Sequence, residues 1–201
     1  MAQTPGAEHP GTERTSTQSD FRLAVADSSV VMLGIAVLGL GLGIILNAHG
    51  LPIWTAPLLS ALVFAGSVEF LMVGMVSAGT TLASIALTVF LVNARHLVYG
   101  LSYPLHSVKG FWAKALAIHT LCDEAFALNS GPNRHERSGA RILWVNVLIY
   151  VSWVLSVILG YVLGASFLSS LKGVDFVMVA IFTVLAMDGY RANPDRVTAL
   201  F

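Results

Sequence analysis

From Ile142 to Leu163 the chain carries no charged side chain, and neither does it from Val30 to Leu46. Runs of that length and character leave few options. A spanning α-helix needs about 20 mostly apolar residues. In hydrocarbon every backbone N–H and C=O must be bonded internally, which a helix achieves by itself. Four more apolar segments follow: Pro57–Val76 with Glu69 as its one charge, Leu82–Ser102 with Arg95 and His96, Phe111–Leu128 with Lys114, His119, Asp123 and Glu124, and the short Val174–Met187 with Asp175 near its start. The connections are short, as in a compact bundle. The expected fold is all-α, a polytopic transmembrane helix bundle with six visible spans.

Composition agrees. Of 201 residues, 56% are hydrophobic and 11% charged, against about 25% charged in soluble domains. The formal net charge is zero, which offers nucleic acid no basic footprint. The single cysteine, Cys122, excludes an intrachain disulfide. Residues 1–20 are polar and rich in Thr, Ser, Gln, Gly and Pro, and read as a disordered tail. They lack the early apolar stretch of a secretory signal. Residues 21–201 form the expected membrane domain.

Lys and Arg outside the spans set the orientation. A cytoplasmic N-terminus collects Arg14, Arg22, Arg134, Arg137, Arg141, Arg191 and Arg196 on the inner side, and leaves Lys109, Lys114 and Lys172 outside. Seven against three predicts the N-terminus in, with the 129–141 loop on the same side. A weak internal repeat pairs Ser67-Val-Glu-Phe-Leu-Met-Val73 with Gly173-Val-Asp-Phe-Val-Met-Val179. Each copy follows a span ending in Gly-x-x-x-Gly, Gly39/Gly43 in one case and Gly160/Gly164 in the other. Two such halves are a common transporter plan; the alternative is a chance match of two apolar helices.

The charges inside the apolar segments are costly there, and such residues tend to be functional. Glu69 follows Ala65-Gly-Ser67, small residues that let a membrane helix break. It reads as a proton-carrying carboxylate, or else as an acid bonded to a neighbouring helix. In Asn93-Ala-Arg-His-Leu-Val-Tyr-Gly100, Asn93 and His96 share one helix face, and Arg95 and Tyr99 another. Arg95 suits a substrate carboxylate, unless it snorkels to the headgroups. His96 reads equally as a proton shuttle or a structural hydrogen-bonder. Asp123 and Glu124 form an acidic pair for an ammonium group or for Arg95, unless they mark a wet span end. The arginines from 134 to 141 mark the inner face and nothing more. Gly39-Leu-Gly-Leu-Gly43 reads as helix packing rather than a phosphate loop. No catalytic, metal or cofactor motif is present.

Phe64-Ala-Gly-Ser-Val-Glu-Phe70, Asn93-Ala-Arg-His-Leu-Val-Tyr-Gly-Leu-Ser102 and Asp123-Glu-Ala-Phe-Ala127, in that order, resemble the recognisable motifs of the AzlC/BrnF family, the large subunit of bacterial branched-chain amino-acid exporters. The similarity runs from about Phe21 to the end. It implies a multi-pass permease of the bacterial cytoplasmic membrane, with about seven spans and no cofactor. It also implies a small membrane subunit of AzlD/BrnE type. Export of leucine, isoleucine, valine and often methionine, driven by the proton motive force, is implied as well. Against that pattern the chain is expected to be short by its last span or spans. The competing expectation is a truncated, non-transporting membrane scaffold; intramembrane charges argue against it, because a purely structural role offsets none of their cost.

Overall fold

The chain was analysed as a computed structural model, which describes residues 10–131 and 137–168 with isolated positions 183 and 187, and side chains from Ser19 to Ser166 within that range. Among the described residues there are helices and turns and no strand. Helix α1 spans Pro10–Ala48, α2 Thr55–Leu58, α3 Gly66–Ser77, α4 Leu82–Asn93, α5 Arg95–Ser102, α6 Phe111–His119, α7 Asp123–Asn129 and α8 Gly139–Leu163. A π-helical turn, Leu59–Val63, continues α2, and a second, Gly164–Leu168, continues α8.

Among the described residues three stretches are long and apolar enough to cross a membrane: Ser19–Ala48, Leu82–Ser102 and Gly139–Ser166. They cover three of the six expected spans. Pro57–Val76 is interrupted at Phe64–Ala65, and Phe111–Leu128 is two helices separated at Thr120–Cys122. Hydropathy averages over both breaks because it counts transfer cost and not backbone bonding. Val174–Met187 and the second repeat copy lie outside the described residues. Helix α1 begins at Pro10, inside the 1–20 stretch expected as a disordered tail.

The helix ends follow local chemistry. α1 stops where the Gly50 amide turns back onto the Asn47 carbonyl at 2.9 Å, with Gly50 at φ +69°, a conformation glycine adopts without steric cost. α4 starts at Thr81, whose hydroxyl accepts the Ser84 amide at 3.3 Å.

The chain divides into two compact units. One contains residues up to Met32 together with His96–Tyr150; the other contains Leu33–Arg95 and the chain from Val151. In the second unit α1 and α8 run side by side in the same direction. A Cβ on Gly39 would collide with Ser156, one on Gly43 with the Val157 carbonyl, and one on Gly160 with the Leu40 backbone. The two Gly-x-x-x-Gly motifs are thus the two faces of one contact, the small-residue packing that lets membrane helices approach closely. Leu42, Ile45, Leu46, Val68, Val73 and Val157 fill the core around it.

In the first unit the stretch of α1 from Asp20 to Asp27 meets the start of α8. Asp27 pairs with Arg137 at 2.8 Å and with Arg141 at 2.6 Å, and Asp20 accepts from the Ser138 hydroxyl at 2.7 Å. Arg137 and Arg141 therefore do more than mark a membrane face.

Candidate functional site

The break in the second unit is built on one unusual residue. Phe64 adopts φ 42°, ψ 52°, the left-handed region that costs an L-residue about 1–2 kcal/mol. Phe64 and Ala65 are both buried, which meets the condition for irregular backbone at membrane depth: it must be covered by protein. α3 then opens at Gly66. A Cβ there would meet the Trp153 ring at 3.3 Å, so this glycine serves close packing more than flexibility.

Glu69, one turn into α3, is fully buried. Its Oε1 accepts the Ala65 amide at 2.9 Å. It reaches back to the helix start as the acid of a capping box does, from one position further along. The Trp153 indole N–H donates to Oε1 at 3.1 Å and to Oε2 at 3.2 Å. Arg95, at the start of α5 and exposed in the chain, donates to the Ser67 hydroxyl at 3.3 Å. Asn93 closes α4, half-buried. The structure thus brings Ala65, Gly66 and Glu69 together, and Ser67 with Arg95.

The first unit holds the other half of the expected residues. The Tyr99 hydroxyl donates to Asp123 Oδ1 at 2.8 Å. The Tyr99 ring stacks on Phe126 at 4.3 Å between centroids and meets the His96 ring edge-on at 5.3 Å. Asp123 and Glu124, inseparable by sequence, now differ: Asp123 is held by Tyr99, while Glu124 lies beside the Cys122 thiol. Both carboxylates are half-buried, whereas the Thr120–Leu121 backbone of this break is buried.

Two functional candidates escaped the sequence reading. Asn146, in the charge-free Ile142–Leu163 run, is fully buried. Its Oδ1 accepts the Tyr103 hydroxyl at 2.8 Å and the Asn129 amide at 3.1 Å, and its own amide donates to the Ala117 carbonyl at 3.0 Å. Trp153 is the other. An intramembrane Asn was the available signal for the first; nothing local marks Trp153 as the partner of a residue 84 positions away.

A helical membrane protein with interrupted helices and intramembrane carboxylates beside the interruptions is the class these features define, a pattern common among secondary transporters. The family model of the AzlC protein matches residues 30–167. A Haemophilus influenzae protein described as an uncharacterized membrane protein is 33% identical over 86% of this chain and 72% of its own length. A Helicobacter pylori protein of the same description is 28% identical over 89% of this chain and 79% of its own. The branched-chain amino acid transport protein AzlC of Bacillus subtilis is 28% identical over 94% of this chain and 75% of its own. No solved structure matches the chain. The chain belongs to the AzlC family.

Proposed function

We propose that this chain is the large subunit of a two-component secondary transporter that exports branched-chain amino acids (leucine, isoleucine, valine, and methionine with them) across the cytoplasmic membrane at the expense of the proton gradient. One observation carries the reading: likeness to a Bacillus subtilis branched-chain amino acid transport protein over 94% of this chain. The helix breaks support it, since substrate and ion sites of secondary transporters form at discontinuous helices.

In this reading Arg95, beside Ser67, grips the substrate carboxylate, and Glu69 carries the coupling proton. Asp123 and Glu124 are the acids proposed for the ammonium group, and Asn93, His96 and Tyr99 are proposed as further polar residues of substrate handling or coupling. Residues 21–201 act as the permease domain, and a small membrane subunit of AzlD/BrnE type completes the exporter. The start of α1 and the 129–141 loop face the cytoplasm, as the Lys and Arg distribution favours.

Cells loaded with labelled leucine and expressing this chain, with and without such a subunit, test the proposal. Faster leucine efflux in the co-expressing cells, abolished by collapse of the proton gradient, is the expected result. Efflux equal to that of empty cells in both cases overturns it.

A further inference from the structure

Trp153 belongs to none of the family-like motifs, yet among the described residues its indole is one of two groups that meet the Glu69 carboxyl; the other is the Ala65 amide. The same ring lies over Gly66, the residue that opens α3. One side chain therefore touches both the acid and the backbone that the acid caps. Both groups facing the carboxyl are donors. A carboxylate presents acceptors on both oxygens, whereas a carboxylic acid turns one oxygen into a donor. The elements of this unit around the cradle, α1 from Leu33, Thr55–Val63, α3, α4, and α8 from Val151 to Leu163, carry no other charged side chain, and Arg95, which follows α4, donates to the Ser67 hydroxyl of α3 at 3.3 Å. Their titratable phenol, Tyr161, donates to the Leu51 carbonyl at 2.6 Å.

We propose that Trp153 is a positioning residue that ties the protonation state of Glu69 to the conformation of the Phe64–Ala65 break. As a carboxylate, Glu69 holds the Ala65 amide and the Trp153 indole together and keeps the start of α3 closed. Proton transfer from hydronium breaks one O–H bond there, leaving water, and forms one on the carboxyl; this replaces an acceptor with a donor and loosens one of the two contacts. The start of α3, with Ser67, is then released to move. This rests on Glu69 as the coupling carboxylate, and it names how the proton is read.

The test is an indole N–H spectrum of the whole chain in detergent, labelled with 15N-tryptophan and followed from acid to neutral pH. Four indole signals arise, from Trp54, Trp112, Trp144 and Trp153. The Trp153 signal is assigned by its loss in Trp153→Phe, or by elimination through Phe at the other three positions. The expected result is a Trp153 signal that moves with pH in the wild-type chain and stays fixed in Glu69→Gln. A signal that ignores pH in the wild type, or moves equally in Glu69→Gln, overturns the proposal. Trp153→Phe removes both the donor and the outer ring that meets Gly66, so thermal stability should fall. The pH profile of leucine efflux should change as well; an unchanged profile also overturns the role. The indole titration is read without substrate, so a chain that titrates but exports nothing removes the transport reading and supports the positioning one.

Discussion

The two helix breaks differ in what holds them. Around Phe64–Ala65 the unit is held by shape: Gly39, Gly43 and Gly160 admit backbone against backbone, Gly66 admits an indole, and the Glu69 carboxyl is buried. Around Thr120–Cys122 the unit is held by polar side chains: Tyr99 on Asp123, Tyr103 and Asn129 on Asn146, and two arginines on Asp27. Dispersion between close helices and hydrogen bonds between them are the two main sources of helix association in lipid, where the hydrophobic effect gives none. One break uses each. A packed seam should resent added volume and ignore lost polarity, and a bonded network should do the reverse.

The largest expected effect is at the seam. Gly43→Leu drives a side chain into the Val157 carbonyl and the Tyr161 amide. Backbone cannot step aside as a flexible side chain can, so the loss should be about 3 kcal/mol or more, read as a fall in thermal midpoint in detergent. Ser156→Ala, in the same seam, removes a hydroxyl bonded only to the Trp153 carbonyl of its own helix at 2.8 Å. It should be close to neutral. Equal losses in these two variants would break the comparison.

Next comes Asn146→Leu, which keeps the branched skeleton of four side-chain heavy atoms and removes the polar ones. It leaves the Tyr103 hydroxyl, the Asn129 amide and the Ala117 carbonyl without their shared partner. Stranding buried polar groups should cost about 2 kcal/mol, and the thermal midpoint should fall accordingly. A neutral result would mean that shape holds this unit too.

Tyr99→Phe is a smaller change. It preserves the ring stacked on Phe126 and removes the 2.8 Å bond to Asp123. A loss of about 1 kcal/mol is expected, and combining it with Asp123→Ala should cost less than the sum of the two single losses, because both remove the same contact. Full additivity in that double-mutant cycle would show that the bond contributes nothing.

The smallest effect should come from Asp27→Asn. Its pairs with Arg137 and Arg141 are partly exposed, so about 0.5–1 kcal/mol is expected. The difference from wild type should shrink as salt is raised. A salt-independent loss would place Asp27 with the buried network instead.

Much of this was legible in order of residues. Long charge-free runs determine helices in a membrane, because hydrocarbon forbids unbonded backbone. Gly39-x-x-x-Gly43 and Gly160-x-x-x-Gly164 announced close packing, and the three polar motifs pointed to the family that the match over residues 30–167 establishes. The small residues Ala65-Gly-Ser67 drew attention to the stretch before Glu69. The break itself falls at Phe64–Ala65, because Gly66 is needed as the first helical residue under Trp153.

What only the tertiary structure decided is who meets whom. The two glycine motifs, which by sequence suggested a repeat, face each other in one contact. Phe111–Leu128, apolar enough on average, is two helices. Glu69 is answered by Trp153, and the apparently inert run from Ile142 to Leu163 carries both that indole and Asn146. The physical reason is one of range. Transfer cost and helix propensity are properties of a few neighbouring residues and can be summed along the chain. A buried donor or acceptor needs a partner whose distance in sequence no local rule constrains, and that partner is chosen only when the helices pack.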